Sequence, residues 1–182
     1  MKISKLSRLI RPLLLLCAAT EVAFFILAWS NTPLNLGPWS MHVAAKGLLI
    51  EQMSSMSAVE HGIGVLLGLP ALLCLLYGLW NLDRLLAGIQ QQNLFSLQNI
   101  ARLRTFAGAV ALSTLLSIAE VPARTAVMRL LPGQGDGNFS VSVSLSVSSE
   151  ELILLLVCIA FYLITGMMHE GRRLAEENEG FV

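Results

Sequence analysis

Residues 152–168 read LILLLVCIAFYLITGMM, with Glu150-Glu151 before them and His169-Glu170 after. The run holds no charge and has the length a helix needs to cross the hydrocarbon of a bilayer, about 17–25 residues. Outward from it lie three more apolar stretches, at residues 12–29, 59–80 and 105–121. In lipid a backbone must satisfy its own amides, and four segments separated by long loops cannot close a barrel. The expected fold is therefore an all-α membrane protein, a single four-transmembrane-helix bundle over residues 1–182.

Composition agrees. Of 182 residues, 55% are hydrophobic and 13% charged, against about a quarter charged in soluble domains. A net charge of zero supplies no basic face, so direct nucleic-acid binding is not expected. Lys2, Lys5, Arg8, Arg11, Arg84, Arg102, Arg104, Arg172 and Arg173 fall on one side of the four spans; Lys46, Arg124 and Arg129 fall on the other. That bias puts both termini, an elbow at 81–104 and a tail at 169–182 in the cytoplasm, and loops 30–58 and 122–151 outside. The membrane expected is a cytoplasmic one. Trp29, Trp39 and Trp80 lie near span ends, where interfacial aromatics sit. A basic stretch followed by PLLLLCAAT also suits a signal peptide, but the apolar run exceeds a usual signal core, and the first helix is expected to be retained. Cys17, Cys74 and Cys158 all fall in apolar spans without disulfide or metal spacing and read as small buried hydrophobes.

Just before the fourth span, FSVSVSLSVSS (Phe139 to Ser149) alternates with period two, the pattern of a half-buried strand. A second extended candidate runs from Leu34 to Ala44, where Pro33 and Pro38 exclude helix. An isolated strand is not stable, so the two are expected to pair in a small extracytoplasmic β-strand cap. It would clip the helix ends together or bind something outside.

Leu82, Leu85, Leu86 and Ile89 recur at helical spacing, so the second helix runs past the membrane with one apolar face. QQQN (Gln90 to Asn93) breaks it, and FSLQNIARLR starts another helix with Ser96 as N-cap and Phe95 and Ile100 as hydrophobic staple. Arg102 and Arg104 can meet anionic headgroups. The tail HEGRRLAEENEGFV turns from basic to acidic within a few residues, as a solvated helix end or a docking tail would.

FSLQNIARLR, FSVSVSLSVSS and HEGRRLAEENEGFV together resemble the domain-of-unknown-function family 2975 of bacterial membrane proteins. The elbow there reads Phe-Ser/Thr-x-Glu-Asn, matched by Phe95, Ser96 and Asn99, with Gln98 in place of the acid. A glycine commonly precedes that phenylalanine; here Gln92-Asn93 stands in the region, and Asn93 tolerates positive φ. The last helix ends as in His169, Glu170, Gly171, Arg173, Leu174, Glu176, Glu177 and Asn178. The family has no established activity. The resemblance implies members encoded beside a small helix-turn-helix regulator, and hence a membrane-associated regulatory role.

Glu21 falls near the middle of the first span, where a charge costs about 2.5–3.5 kcal/mol on insertion scales. Glu60 and His61 open the second span and Glu120 closes the third, so Glu21, Glu60, His61 and Glu120 form a candidate proton or cation set, with Glu21 the deepest. Ser113, Thr114 and Ser117 add hydroxyls that equally serve as helix–helix glue. Gly64 and Gly68 permit close approach, within the bundle or in a homodimer, and Pro70 is expected to kink the helix. HExxH, GxSxG and P-loop patterns are absent, and His169-Glu170 lacks a second histidine, since position 173 is Arg173. No cofactor, metal site or catalytic residue is expected.

The leading expectation is a non-enzymatic regulatory or sensory membrane protein that docks a cytoplasmic protein through Phe95, Ser96, Asn99, Arg173, Glu176 and Glu177. The alternatives are a small transporter or channel subunit using Glu21, and a structural assembly factor using Gly64 and Gly68.

Overall fold

The computed structural model describes residues 3–30, 34–36, 39–48, 50–90, 96–130 and 147–179. Their order is α1 (Ile3–Ser30), β1 (Leu34–Leu36), β2 (Trp39–Met41), α2 (Ile50–Ser55), α3 (Ala58–Gln90), α4 (Leu97–Leu130) and α5 (Ser149–Glu179). Within them Ile10–Ser30, Ala58–Gly88, Leu97–Met128 and Ser149–Leu174 are each long and apolar enough to cross a membrane. The chain is a multi-pass membrane protein. Leu66 (70% exposed), Leu156 (68%) and Met167 (74%) fit this: such faces have no cover among the described residues, as expected of apolar faces turned to lipid.

The helices outrun the apolar stretches that announce them. α1, α3 and α4 run through Pro12, Pro70 and Pro122 without a break in helix, as neighbouring helices in a membrane allow. Their starts are chemical. Ser57 Oγ accepts from Glu60 N (3.3 Å) while Glu60 Oε2 accepts from Ser57 N (2.6 Å), a reciprocal capping box opening α3. Ser148 and Glu151 repeat it at α5, at 3.3 and 2.8 Å. Ser96 Oγ caps α4 by accepting from Asn99 N at 3.2 Å, the role expected of it.

Close backbone packing follows the chain, α1 on α3, α3 on α4, α4 on α5. Small residues make it possible, as in membranes generally. A Cβ on Gly78 would lie 3.3 Å from that of Ala109, and one on Gly64 would overlap the Trp29 indole. Trp29 is therefore not an interfacial anchor: it is buried, filling the notch at Gly64. Trp80 is exposed, with the Arg84 guanidinium 4.2 Å above its ring.

Two ends follow from the pairing of elements. At the terminal end the start of α1 meets the end of α3, where Arg11 Nε and Nη2 donate to both Asp83 carboxylate oxygens (2.6 and 2.8 Å). At the loop end the first connection is itself folded. β1 pairs antiparallel with β2, Leu34 opposite Met41, so the Leu34–Ala44 segment pairs within itself. Met53 of α2 is 1% exposed and packs with Ala28, Trp29 and Ala45. The sequence gives no warning of α2. Residues 139–146 of the serine-alternating stretch lie outside the described residues. Ser149, expected to end that strand, is the first residue of α5, because the Ser148–Glu151 box starts a helix there.

Candidate functional site

Four charged side chains gather at the loop end. A turn at Lys46-Gly47, with Gly47 left-handed (φ +73°), lays the first loop over Val121 and Arg124. Arg124 is 2% exposed; its Nη1 donates to Glu120 Oε1 at 2.9 Å and its Nη2 to the carbonyl of Lys46. Its guanidinium also stands 5.7 Å from the Trp29 ring centroid. Lys46 Nζ donates to the Glu151 carboxylate and to Ser117 Oγ (3.3 Å). The two cations and two anions balance, and for the Arg124–Glu120 pair, nearly withdrawn from water, that balance is required.

Beneath this network a cavity of about 370 Å³ opens between α1, α3 and α4. Glu21, Phe25, Trp29, Lys46, Ser117 and Glu120 line it. Gly68 makes room: a Cβ there would fall 3.0 Å from Phe25 and 3.6 Å from the Glu120 carboxylate. Ser113, also on the wall, donates to the carbonyl of Ala71 across the α3–α4 interface (2.8 Å). That is the glue role of intramembrane hydroxyls. Thr114 instead donates within its own helix, to Val110 O.

The candidate ionisable set is thus divided. Glu21 and Glu120 share the cavity. Glu60 is committed to Ser57, and His61 Nδ1 lies 3.1 Å from the Ser57 carbonyl, at the start of α3. Local capping chemistry accounts for both. Glu21 is exposed on α1 and has no hydrogen-bond or ion-pair partner among the described residues. Gly64 and Gly68 face Trp29 and Phe25 of the same chain, so their close approach is used inside the bundle.

The expected docking residues lie at the terminal end in two places. Ser96 caps α4, and Asn99 is 3% exposed with its side-chain amide against Gly88. Both hold the elbow's shape. Phe95 is outside the described residues. On α5, Arg173 pairs with Glu170 (2.8 Å) and Glu177 (3.4 Å), and Arg172 with Glu176 (2.6 Å), all on the solvent-open final turns. Lys46, Arg124 and Glu151 were not singled out in the sequence. The Ser148-x-x-Glu151 spacing was the one available signal, and it marks a helix start rather than an ion pair. No group of three or more His, Cys, Asp or Glu among the described residues could hold a metal ion.

No curated protein and no solved structure matches the chain. A family model does, across residues 15–180, from the first span to the tail. With that match covering nearly the whole length, the chain belongs to the family described as protein of unknown function DUF2975.

Proposed function

We propose that this is a non-enzymatic regulator in the bacterial inner membrane, with its termini in the cytoplasm, that couples a charged cleft outside to a docking tail inside. The Lys46–Glu151 ion pair carries the reading. It ties the first loop, and through Arg124 the cavity roof, to the first turn of α5. That helix then runs unbroken to Glu179, and its last turns present Arg173, Glu176 and Glu177. At 1.5 Å per residue α5 is about 46 Å long, enough to cross the bilayer and carry a displacement out the far side. The orientation rests on nine Lys and Arg on the terminal side against three on the other. The family resemblance makes a small helix-turn-helix regulator the expected partner.

Purification in mild detergent after crosslinking in cells tests it, comparing the full chain, a chain truncated before Glu176, and Lys46→Gln. One soluble protein held by the full chain, lost on truncation and altered in yield by Lys46→Gln supports the coupled reading. Equal recovery from all three overturns it.

Glu21 supports a second reading, a small transporter or channel subunit, because its carboxylate shares the cavity with Glu120. There Glu21→Gln abolishes a proton or cation flux in proteoliposomes. Flux that is unaffected, or absent in the unsubstituted protein, removes the idea.

A further inference from the structure

The sequence treats Arg102 and Arg104 alike, as residues near headgroups. The fold separates them. Arg102 turns back, and its Nη1 donates to the carbonyl of Arg84 (3.0 Å). Arg104 points the other way, into a groove between α4 and α5. Arg11, Arg124, Arg172 and Arg173 each meet a carboxylate. Arg104 meets none among the described residues; its guanidinium lies 6.0 Å from the Tyr162 ring centroid.

The groove has the form of a headgroup seat with a channel below. Its outer part, about 540 Å³, is lined by Leu97, Ile100, Arg104, Tyr162, Gly166 and His169. Gly166 leaves it open, since a Cβ there would meet nothing within 4 Å. Arg104 and Tyr162 also line a second cavity of about 380 Å³ that continues toward Gly108, Ala109 and Leu112. His169 adds a second donor at the mouth and is unpaired among the described residues. The level is also that of the headgroups. Twenty residues of α4 separate Arg104 from Arg124, about 30 Å of helix, the thickness of a hydrocarbon core. Arg11 and Asp83 mark the same end on α1 and α3.

We infer that this groove binds one anionic phospholipid, its phosphate held by Arg104 and His169 and an acyl chain lying past Tyr162 toward Leu112. Charge complementarity selects the occupant. A guanidinium that meets no carboxylate among the described residues, at the bilayer boundary above an apolar slot open to lipid, matches a phosphate carrying a hydrocarbon chain. A zwitterionic lipid brings its own ammonium to the phosphate and gains less from the arginine. A soluble anion leaves the apolar slot empty.

Native mass spectrometry of the detergent-solubilised full chain tests this, with phosphatidylglycerol, phosphatidylcholine or inorganic phosphate added at matched concentrations. The expected result is one retained phosphatidylglycerol and neither of the others. Arg104→Gln lowers its retention at least about tenfold. Arg104→Lys restores part of it, and Gly166→Leu, whose Cβ enters open space in the slot, also lowers it. Arg102→Gln, an arginine two residues away that turns back onto the Arg84 carbonyl, leaves retention unchanged. Equal retention of phosphatidylcholine, or retention untouched by both Arg104→Gln and Gly166→Leu, overturns the proposal. Competition by inorganic phosphate at matched concentration overturns the lipid in favour of a small anion.

Discussion

At the loop end Lys46 reaches across the fold to Glu151 and Arg124 to the Lys46 carbonyl, whereas on the tail of α5 the charged side chains answer to their own helix. Arg124 and Glu120 of α4 shelter under a folded loop, and Lys46 of that loop meets Glu151 of α5. Arg172, Arg173, Glu170, Glu176 and Glu177 pair three or four residues apart along one exposed surface. The chemistry is the same, but the work differs. A buried guanidinium with its partner removed leaves an uncompensated charge. A pair exposed to water gains little, because solvent and salt do most of the screening. Charges of the first kind fix how the loop and helices meet; those of the second kind stay on the helix surface.

The contrast can be broken at its strongest point first. Arg124→Met strands Glu120 and the Lys46 carbonyl and is expected to cost about 3–5 kcal/mol, read as a fall in thermal unfolding in detergent. Should Arg124→Met cost no more than Arg173→Ala, the distinction between the two ends disappears. Gly64→Ala is next, at about 1–3 kcal/mol, because the new methyl must displace the Trp29 indole. Gly62→Ala two residues away, where a Cβ meets nothing within 4 Å, leaves stability unchanged or slightly higher, and comparing the two melting curves isolates the contact.

Arg11→Gln sharpens the comparison from the terminal end, since Arg11–Asp83 joins two helices yet is partly open to solvent. Its expected cost lies between those of Arg124→Met and Arg173→Ala by the same measurement. Arg173→Ala closes the series, within about 0.5 kcal/mol of the unsubstituted protein. A larger loss would mean that the tail is held by the bundle, contrary to its exposure.

Much of this fold could be read in advance, and the reasons it could are local. Runs such as residues 152–168 declare membrane helices because length and apolarity suffice. Ser96 was readable as a cap because an N-cap acts within three residues of itself. Trp29 was misread because its position near a span end says nothing about the glycine notch on another helix. Ser149 was read as strand because alternation in residues 139–147 masked the capping box that follows it. Within the site, Glu21 and Glu120 stood out as charges in apolar runs. Lys46 did not, since its partner Glu151 lies 105 residues away and no periodicity links them.

The order in which the helices pack also bears on how the chain is made. Each long helix lies closest to the one synthesised just before it, so every new span meets a neighbour already delivered to the bilayer. Most of the assembly can proceed during translation, without waiting for distant sequence. Lys46 is the exception, because its carboxylate arrives only with the last helix. Until then the first loop is held through its carbonyl at Lys46 by Arg124, and the ammonium lacks the Glu151 carboxylate. That one bond leaves the loop end incomplete until α5 has been inserted.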